Sequence, residues 1–209
     1  MSSTTGSIHR VKATLRDTKP PVWRRLEVPS DMSLAAFHEV LQTAFDWWNY
    51  HLHEFRNKLE VYGVPGAEDF GPEPQSDETQ YTIATLLPKV KSTAVYTYDF
   101  GDDWQHDLVL EAIVEPEPEA AYPRCTAGKR RGPPEDCGGP WGFQEYLEAI
   151  ADPAHPEHES MMEWRGPFDG AAFDAAEVNQ RLAAQKVSAN KAAARKAARK
   201  KTASKKAKA

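Results

Sequence analysis

Cysteine is scarce: the 209 residues hold only Cys125 and Cys137. Two thiols cannot build a disulfide scaffold, and in a reducing compartment both stay free. Long apolar runs are also missing, and none approaches the ~20 residues that a membrane span requires. The opening MSSTTGSIHRVKATL lacks the basic-then-apolar order of a secretory signal. These gaps point to a cytoplasmic protein without membrane contact. No GxSxG, HExxH or GxxxxGK[ST] word occurs, which argues against a nucleophile-elbow hydrolase, a zincin and a Walker-type enzyme. Acid is absent from one end. Ten of the 26 Lys and Arg lie within 186–209 with no Asp or Glu, leaving 16 basic against 31 acidic residues elsewhere. The net −5 therefore divides into a −15 body and a +10 tail.

The densest pattern present is AVYTYDFGDDWQHDLVLEAIV at 94–114. Ala94, Tyr96, Tyr98 and Phe100 share one strand face. Trp104, His106, Leu108, Leu110, Ala112 and Val114 share a face of the next run. A three-residue loop, Gly101-Asp102-Asp103, would set Phe100 opposite Trp104, Tyr98 opposite His106 and Tyr96 opposite Leu108. It turns both aromatic faces to the same side, with His106 among them.

The remaining chain supplies partners for this hairpin. His9, Val11, Ala13 and Leu15 alternate as a first strand, Pro20-Pro21 turns, and 22–28 pairs back. A helix follows, capped by Ser30 or Ser33, with Leu34, Phe37, Leu41, Ala44, Phe45 and Trp48 on its buried stripe. Residues 50–61 read as a third strand with His51, His53, Phe55, Leu59 and Val61 on one side. Residues 63–80, rich in Gly, Pro and acid, read as an exposed loop, and 81–87 as a short helix. Residues 125–139 read as irregular until Pro140 opens a helix carrying Phe143, Tyr146, Leu147 and Ile150. An amphipathic piece at 157–164 and a helix using Phe173, Val178 and Leu182 close the body. The predicted class is α+β, a mainly antiparallel sheet around the central hairpin and packed by helices. The organisation is a disordered 1–7, a domain over 8–185, and a disordered or helical basic tail over 186–209.

Several words together resemble the plasmid pRiA4b ORF-3-like family. They are Pro-Val-Trp-Arg-Arg at 21–25, Trp-Asn-Tyr-His-Leu-His-Glu-Phe at 48–55 and Tyr-Thr-Tyr-Asp-Phe-Gly-Asp-Asp-Trp-Gln-His at 96–106. Gly-Pro-Pro-Glu-Asp-Cys-Gly-Gly at 132–139, and Phe173-Asp174 with Val178, Asn179 and Leu182, complete the set. The resemblance spans roughly 8–185. It implies an α+β fold, a bacterial protein often carried on mobile elements, and no settled activity. A resolvase label borne by some members would need a serine ringed by arginines, and Arg24, Arg25, Arg130 and Arg131 have no such partner in the sequence.

Three constellations carry chemistry. His51, His53 and His106 lie near Asp99, Asp102 and Asp103. Histidines two apart on a strand project to one face, where they suit Zn²⁺. A hydrogen-bonded core histidine beside a solvated acidic turn is the commoner outcome of such a pattern. Cys125 and Cys137, with Glu135 and Asp136 between them, would complete a tetrahedral zinc set with two of the histidines if folding joined them; otherwise they pack as small residues. Gly138-Gly139-Pro140 opens a helix behind Lys129, Arg130 and Arg131, an arrangement that suits an anion, or else ordinary helix initiation.

The tail cations Lys191, Arg195, Lys196, Arg199, Lys200, Lys201, Lys205 and Lys206 are spaced largely by alanine. They suit nonspecific nucleic-acid contact by counterion release, and a nucleoid association would follow. No aromatic is interleaved, so base reading is not expected. The leading expectation is a non-catalytic binding or accessory protein anchored by this tail. The alternatives are a zinc-type hydrolase using His, Asp and Cys, and a structural partner of another mobile-element protein. Full-length protein should stay on immobilised DNA at low salt and elute as salt rises. A chain ending at residue 185 should flow through, and undiminished retention of the truncated chain would remove the tail from this role.

Overall fold

Alternation in the central segment produces two long strands whose inward side chains are almost wholly buried: Ala94, Tyr96, Tyr98, Trp104, His106, Leu108 and Leu110. In this computed structural model the described residues are 6–64 and 76–185. The predicted tail state and residues 1–5 lie outside them. The elements are β1 (Ile8–Leu15), β2 (Trp23–Pro29), α1 (Leu34–Phe45), β3 (His53–Arg56), β4 (Val61–Gly63) and β5 (Ser76–Asp77). Then follow α2 (Ile83–Leu86), β6 (Thr93–Tyr98), β7 (Trp104–Val114), β8 (Arg124–Lys129), α3 (Gly139–Ala151) and α4 (His158–Arg165). Residues 175–185 form α5. The strands make one sheet in the order β5-β4-β3-β6-β7-β1-β2-β8. Every pairing is antiparallel except β4 with β5. The α+β class follows directly. Among the described residues no helix is long and apolar enough to cross a membrane.

Helix α1 covers the inward face. Ser33 caps it by accepting from the Ala36 amide, and Leu34, Phe37, Leu41 and Phe45 are buried with no measurable exposure. Each such side chain is worth roughly 1.5–3 kcal/mol relative to remaining in water. The opposite sheet face is charged and laced by ion pairs: Arg10 and Arg124 both on Glu27, Arg25 on Glu111, and Arg16 on Asp107. One dry face and one charged face suit an antiparallel sheet packed on a single side.

Five expectations need correction. The hairpin keeps its faces but shifts register: Tyr98 pairs with Trp104, Tyr96 with His106 and Ala94 with Leu108. Asp99 is the cause. Its backbone is left-handed (φ 56), its Oδ1 accepts from the Gly101 and Asp102 amides, and its carbonyl accepts from Asp103, so the turn absorbs 99–103. Second, β7 bulges at Glu111, because Arg10 faces Ala112 while Val11 faces Leu110, and alternation beyond it is reset. Third, the single strand expected at 50–61 is a short hairpin, β3 with β4, and His51 precedes it. Fourth, the segment read as irregular begins with β8, an edge strand paired to β2. It carries one small buried apolar residue, Cys125, and a Gly128 whose face is filled by the Phe173 ring. Fifth, of the loop expected at 63–80, residues 65–75 lie outside the described residues, while Ser76–Asp77 form β5 at the sheet edge with Glu78 buried beside it.

The His106 ring is fully buried against Phe45, Trp47 and Tyr96, with centroids at 4.6, 5.2 and 5.4 Å. Neither ring nitrogen reaches full hydrogen-bond geometry, although the Tyr96 and Trp104 backbones lie close enough to oppose part of the burial effect. Desolvation pushes its pKa down to about 3. An unfolded histidine takes a proton near pH 6.5, so the fold loses stability as pH falls from about 6.5 towards 3. His106→Met should remove part of that acid loss. At pH 7 it should leave stability unchanged or raise it by about 1 kcal/mol, because the thioether has no strong polar group to desolvate. Acid and thermal unfolding followed by circular dichroism measure both, and a loss of about 2 kcal/mol at neutral pH would contradict it.

Gly139 provides a second test. It is left-handed (φ +68), and a Cβ there would collide with the Asp102 carbonyl. Gly139→Ala should cost about 2–4 kcal/mol, combining backbone strain with overpacking. A change below about 0.5 kcal/mol in the same measurement would show that the loops do not need this contact.

Candidate functional site: a histidine–carboxylate cluster

Three loops meet above the inward face of the central hairpin: 46–52 after α1, the turn 99–103, and 130–138 before α3. Left-handed Asp46 ends α1 and left-handed Asn49 turns the chain, which brings Trp47 inward and leaves Trp48 outward. Trp47 Nε1 donates to the Pro133 carbonyl at 2.9 Å, and Gly132 lies so close to the Phe45 carbonyl that only glycine fits. The Gly138 amide donates to Asp102 Oδ2 at 3.1 Å, fixing the third loop to the hairpin turn.

This convergence surrounds His51 with carboxylates. Its Nε2 donates to Asp136 Oδ1 at 2.8 Å, and lies 3.6 Å from Asp99 Oδ2 and 3.9 Å from Glu135 Oε2. Glu135 is buried and accepts from the Trp48 amide at 2.7 Å and from the Tyr98 hydroxyl at 3.2 and 3.3 Å. The same hydroxyl accepts from the Tyr50 amide at 3.1 Å. Burial, and then the Glu135 charge, hold the Tyr98 phenol well above its usual range, so it stays a donor. Three carboxylates thus share one half-exposed imidazole, a charge distribution that favours a cation. His51, Asp99 and Asp136 can each offer a ligand atom, and these lie within 4.8 Å of one another.

The five residues expected to bind metal do not gather at one point. His51 alone joins a cluster among the described residues. His53 is buried, bonded to Glu78 Oε2 at 2.8 Å and stacked on His38 with centroids 3.5 Å apart. His38 in turn contacts the Tyr96 hydroxyl and Asn49 Oδ1, both at 2.8 Å, and burial, then His53, push its pKa down to about 3. His106 sits alone in the core. Cys125 lies on β8, where its thiol donates to the Ala127 carbonyl and burial raises its pKa. Cys137 follows Asp136, and burial, with Asp102 adding to it, pushes its pKa up to about 12; its sulfur does not join the His51, Asp99 and Asp136 donors.

The anion candidates also separate. Gly138 and Gly139 line a cleft of about 720 Å³ whose cations are Arg16 and Lys19. The Lys129 carbonyl accepts from Arg24, Arg130 lies in a narrow crevice beside Pro140, and Arg131 pairs with Asp46 at 3.6 Å. The tail cations from Lys191 to Lys206 lie outside the described residues.

Sequence reasoning missed His38, Glu78 and Arg165, and it misplaced Trp48 on the buried stripe of α1, although that helix ends at Phe45 and the indole is exposed. His38 had a legible signal, a polar residue one turn from Leu34 on the buried stripe. Glu78 had none, sitting in a loop that reads as solvent-exposed.

Comparison with known proteins agrees with this architecture. A family model described as plasmid pRiA4b ORF-3-like protein matches residues 7–177. The uncharacterized protein y4hQ of Sinorhizobium fredii (strain NBRC 101917 / NGR234) is 38% identical over 176 residues, 83% of this chain and 90% of that one. The crystal structure of the protein of unknown function MM3350 from Methanosarcina mazei Go1 superposes with a TM-score of 0.74 at 34% identity, over 83% of this chain and 98% of that one. Matched over most of its length in both sequence and fold, the chain belongs to the plasmid pRiA4b ORF-3-like family.

Proposed function

We propose that this protein is a divalent-metal-binding module whose ion is held by His51 Nε2, Asp99 Oδ2 and an Asp136 carboxylate oxygen. The carrying observation is the proximity of these three donors. An ion about 2.0–2.2 Å from each needs donors roughly 3–3.5 Å apart, close to the separations of 2.8 and 3.6 Å around His51. The turn amides occupy Asp99 Oδ1, so Oδ2 is the oxygen left for an ion. Nitrogen with oxygen donors suits Zn²⁺ or Mn²⁺. Three protein ligands leave positions for a further group, so the ion would tie a ligand to the body. The +10 tail adds a nonspecific nucleic-acid anchor to this reading.

A second reading, a metal-dependent hydrolase, is favoured by Glu135. Its Oε2 lies 3.9 Å from His51 Nε2, beside the proposed ion, and Tyr98 and the Trp48 amide orient it. A carboxylate so placed would accept a proton from metal-bound water.

Calorimetric titration of the full chain with Zn²⁺ and Mn²⁺ should give about one equivalent bound. Asp99→Asn and His51→Ala should each weaken binding at least about tenfold, whereas Cys125→Ser and Cys137→Ser should leave it unchanged. Uptake below about a tenth of an equivalent would end both readings. Metal-dependent phosphoester hydrolysis lost in Glu135→Gln, with metal binding intact, would select the hydrolase.

A further inference from the structure

We infer that the same site takes a nucleotide unit, its base stacked on Trp48 and its phosphate shared between the metal ion and the arginines beside it. This rests on the metal reading above and deepens it. Next to the cluster is a cleft of about 250 Å³ lined by Trp48, Arg131, Glu135, Arg165 and Phe168, among others. Glu135 belongs to both places: its carboxylate approaches His51, and it accepts the Trp48 amide proton at 2.7 Å. The indole is therefore tied to the ion site by its own backbone. Trp48 is nonetheless 57% exposed, and Tyr50, 69% exposed, stands edge-on to it at 5.7 Å.

Exposed indoles are costly to leave in water and give a stacking face to any planar ring. Cations complete the recognition. The Arg165 guanidinium lies between Trp48 and Trp164, 5.7 and 4.9 Å from the ring centres. It donates to the Glu135 carbonyl, its Nε has no partner, and no carboxylate pairs with it among the described residues. Arg131 opens onto the same cleft and shares Asp46 with Arg181. Planar guanidinium groups favour phosphate oxygens, and a divalent ion on His51, Asp99 and Asp136 would turn a cluster that repels phosphate into one that binds it. A neutral sugar ring would use the indole but give the two guanidinium groups no anion to meet. The volume lies just below the ~300–1,000 Å³ of pockets for drug-sized ligands, which suits one ring-and-phosphate unit.

The test is calorimetry on the full chain saturated with Mn²⁺, using adenosine 5′-monophosphate, a short single-stranded oligodeoxynucleotide and inorganic phosphate as probes. The monophosphate should bind, and inorganic phosphate should bind far more weakly. Trp48→Ala should weaken the monophosphate about five- to a hundredfold, while Trp48→Phe keeps most of the affinity and both variants bind Mn²⁺ as the parent does. With the monophosphate bound, an oligonucleotide that also binds with the same Trp48 dependence would place the unit in single strands, and binding of the free monophosphate alone would make it a nucleotide site; either upholds the inference. A Mn²⁺-loaded protein that ignores the monophosphate, or a Trp48→Ala variant that binds it undiminished, would overturn it with the metal reading intact. Failure to bind Mn²⁺ at all would instead remove the metal reading.

Discussion

The Tyr98 side chain joins the core to the surface cluster. Its ring is buried and stacked on Trp47 at 5.0 Å, because strand alternation turns it under α1. A phenol hydroxyl carried to that depth needs partners, since an unmet hydroxyl would cost on the order of 1–3 kcal/mol. It finds the Tyr50 amide and the Glu135 carboxylate, and those two contacts draw the loops 46–52 and 130–138 together above the hairpin. Asp99, the next residue, has to turn sharply, and its free oxygen then faces His51. The cluster is thus a consequence of how one buried tyrosine is satisfied.

The buried histidines show how strongly surroundings decide the behaviour of one side chain. His106 is walled by aromatic rings and held neutral chiefly by desolvation, which outweighs the opposing pull of the Tyr96 and Trp104 backbones. His38 and His53 stack as a pair, with both His38 nitrogens bonded to Tyr96 and Asn49 and His53 Nε2 bonded to Glu78. His51 lies outside the core and is the one in contact with three carboxylates. Pattern alone groups His51 with His53, yet the strand begins between them, and a two-residue spacing that would share a face within a strand does not do so across its start.

The words shared with the family divide by role. Arg24 of the Pro-Val-Trp-Arg-Arg word is structural. Its guanidinium lies between the Phe45 and Phe173 rings and donates to the carbonyls of Ala44, Trp23 and Lys129. The last word docks α5 on β8: Phe173 covers Arg24 and Gly128, Asn179 brackets the Cys125 backbone, and Val178 and Leu182 are buried. The three middle words supply His51, Asp99, Glu135 and Asp136. They form one cluster although sequence reasoning placed these residues in two separate constellations, because nothing local links a turn at 99 to a loop at 136.

What the sequence determined by itself was which faces go inward. Alternation is local, with a period of two, and water rejects an apolar face whichever partner covers it; Val11, Ala13, Tyr96, Tyr98, Trp104, His106 and Leu108 are all buried as their positions predict. The α+β class followed from the same signals. Tertiary structure alone decided register, the edge strand β8 and the membership of the cluster. Register moved because the Asp99 carboxylate captured the turn amides, and β8 formed because a neighbouring strand and Phe173 made small residues sufficient there. The cluster arose where Trp47 met Pro133 and Gly138 met Asp102, contacts between distant segments that leave no period in the chain to read.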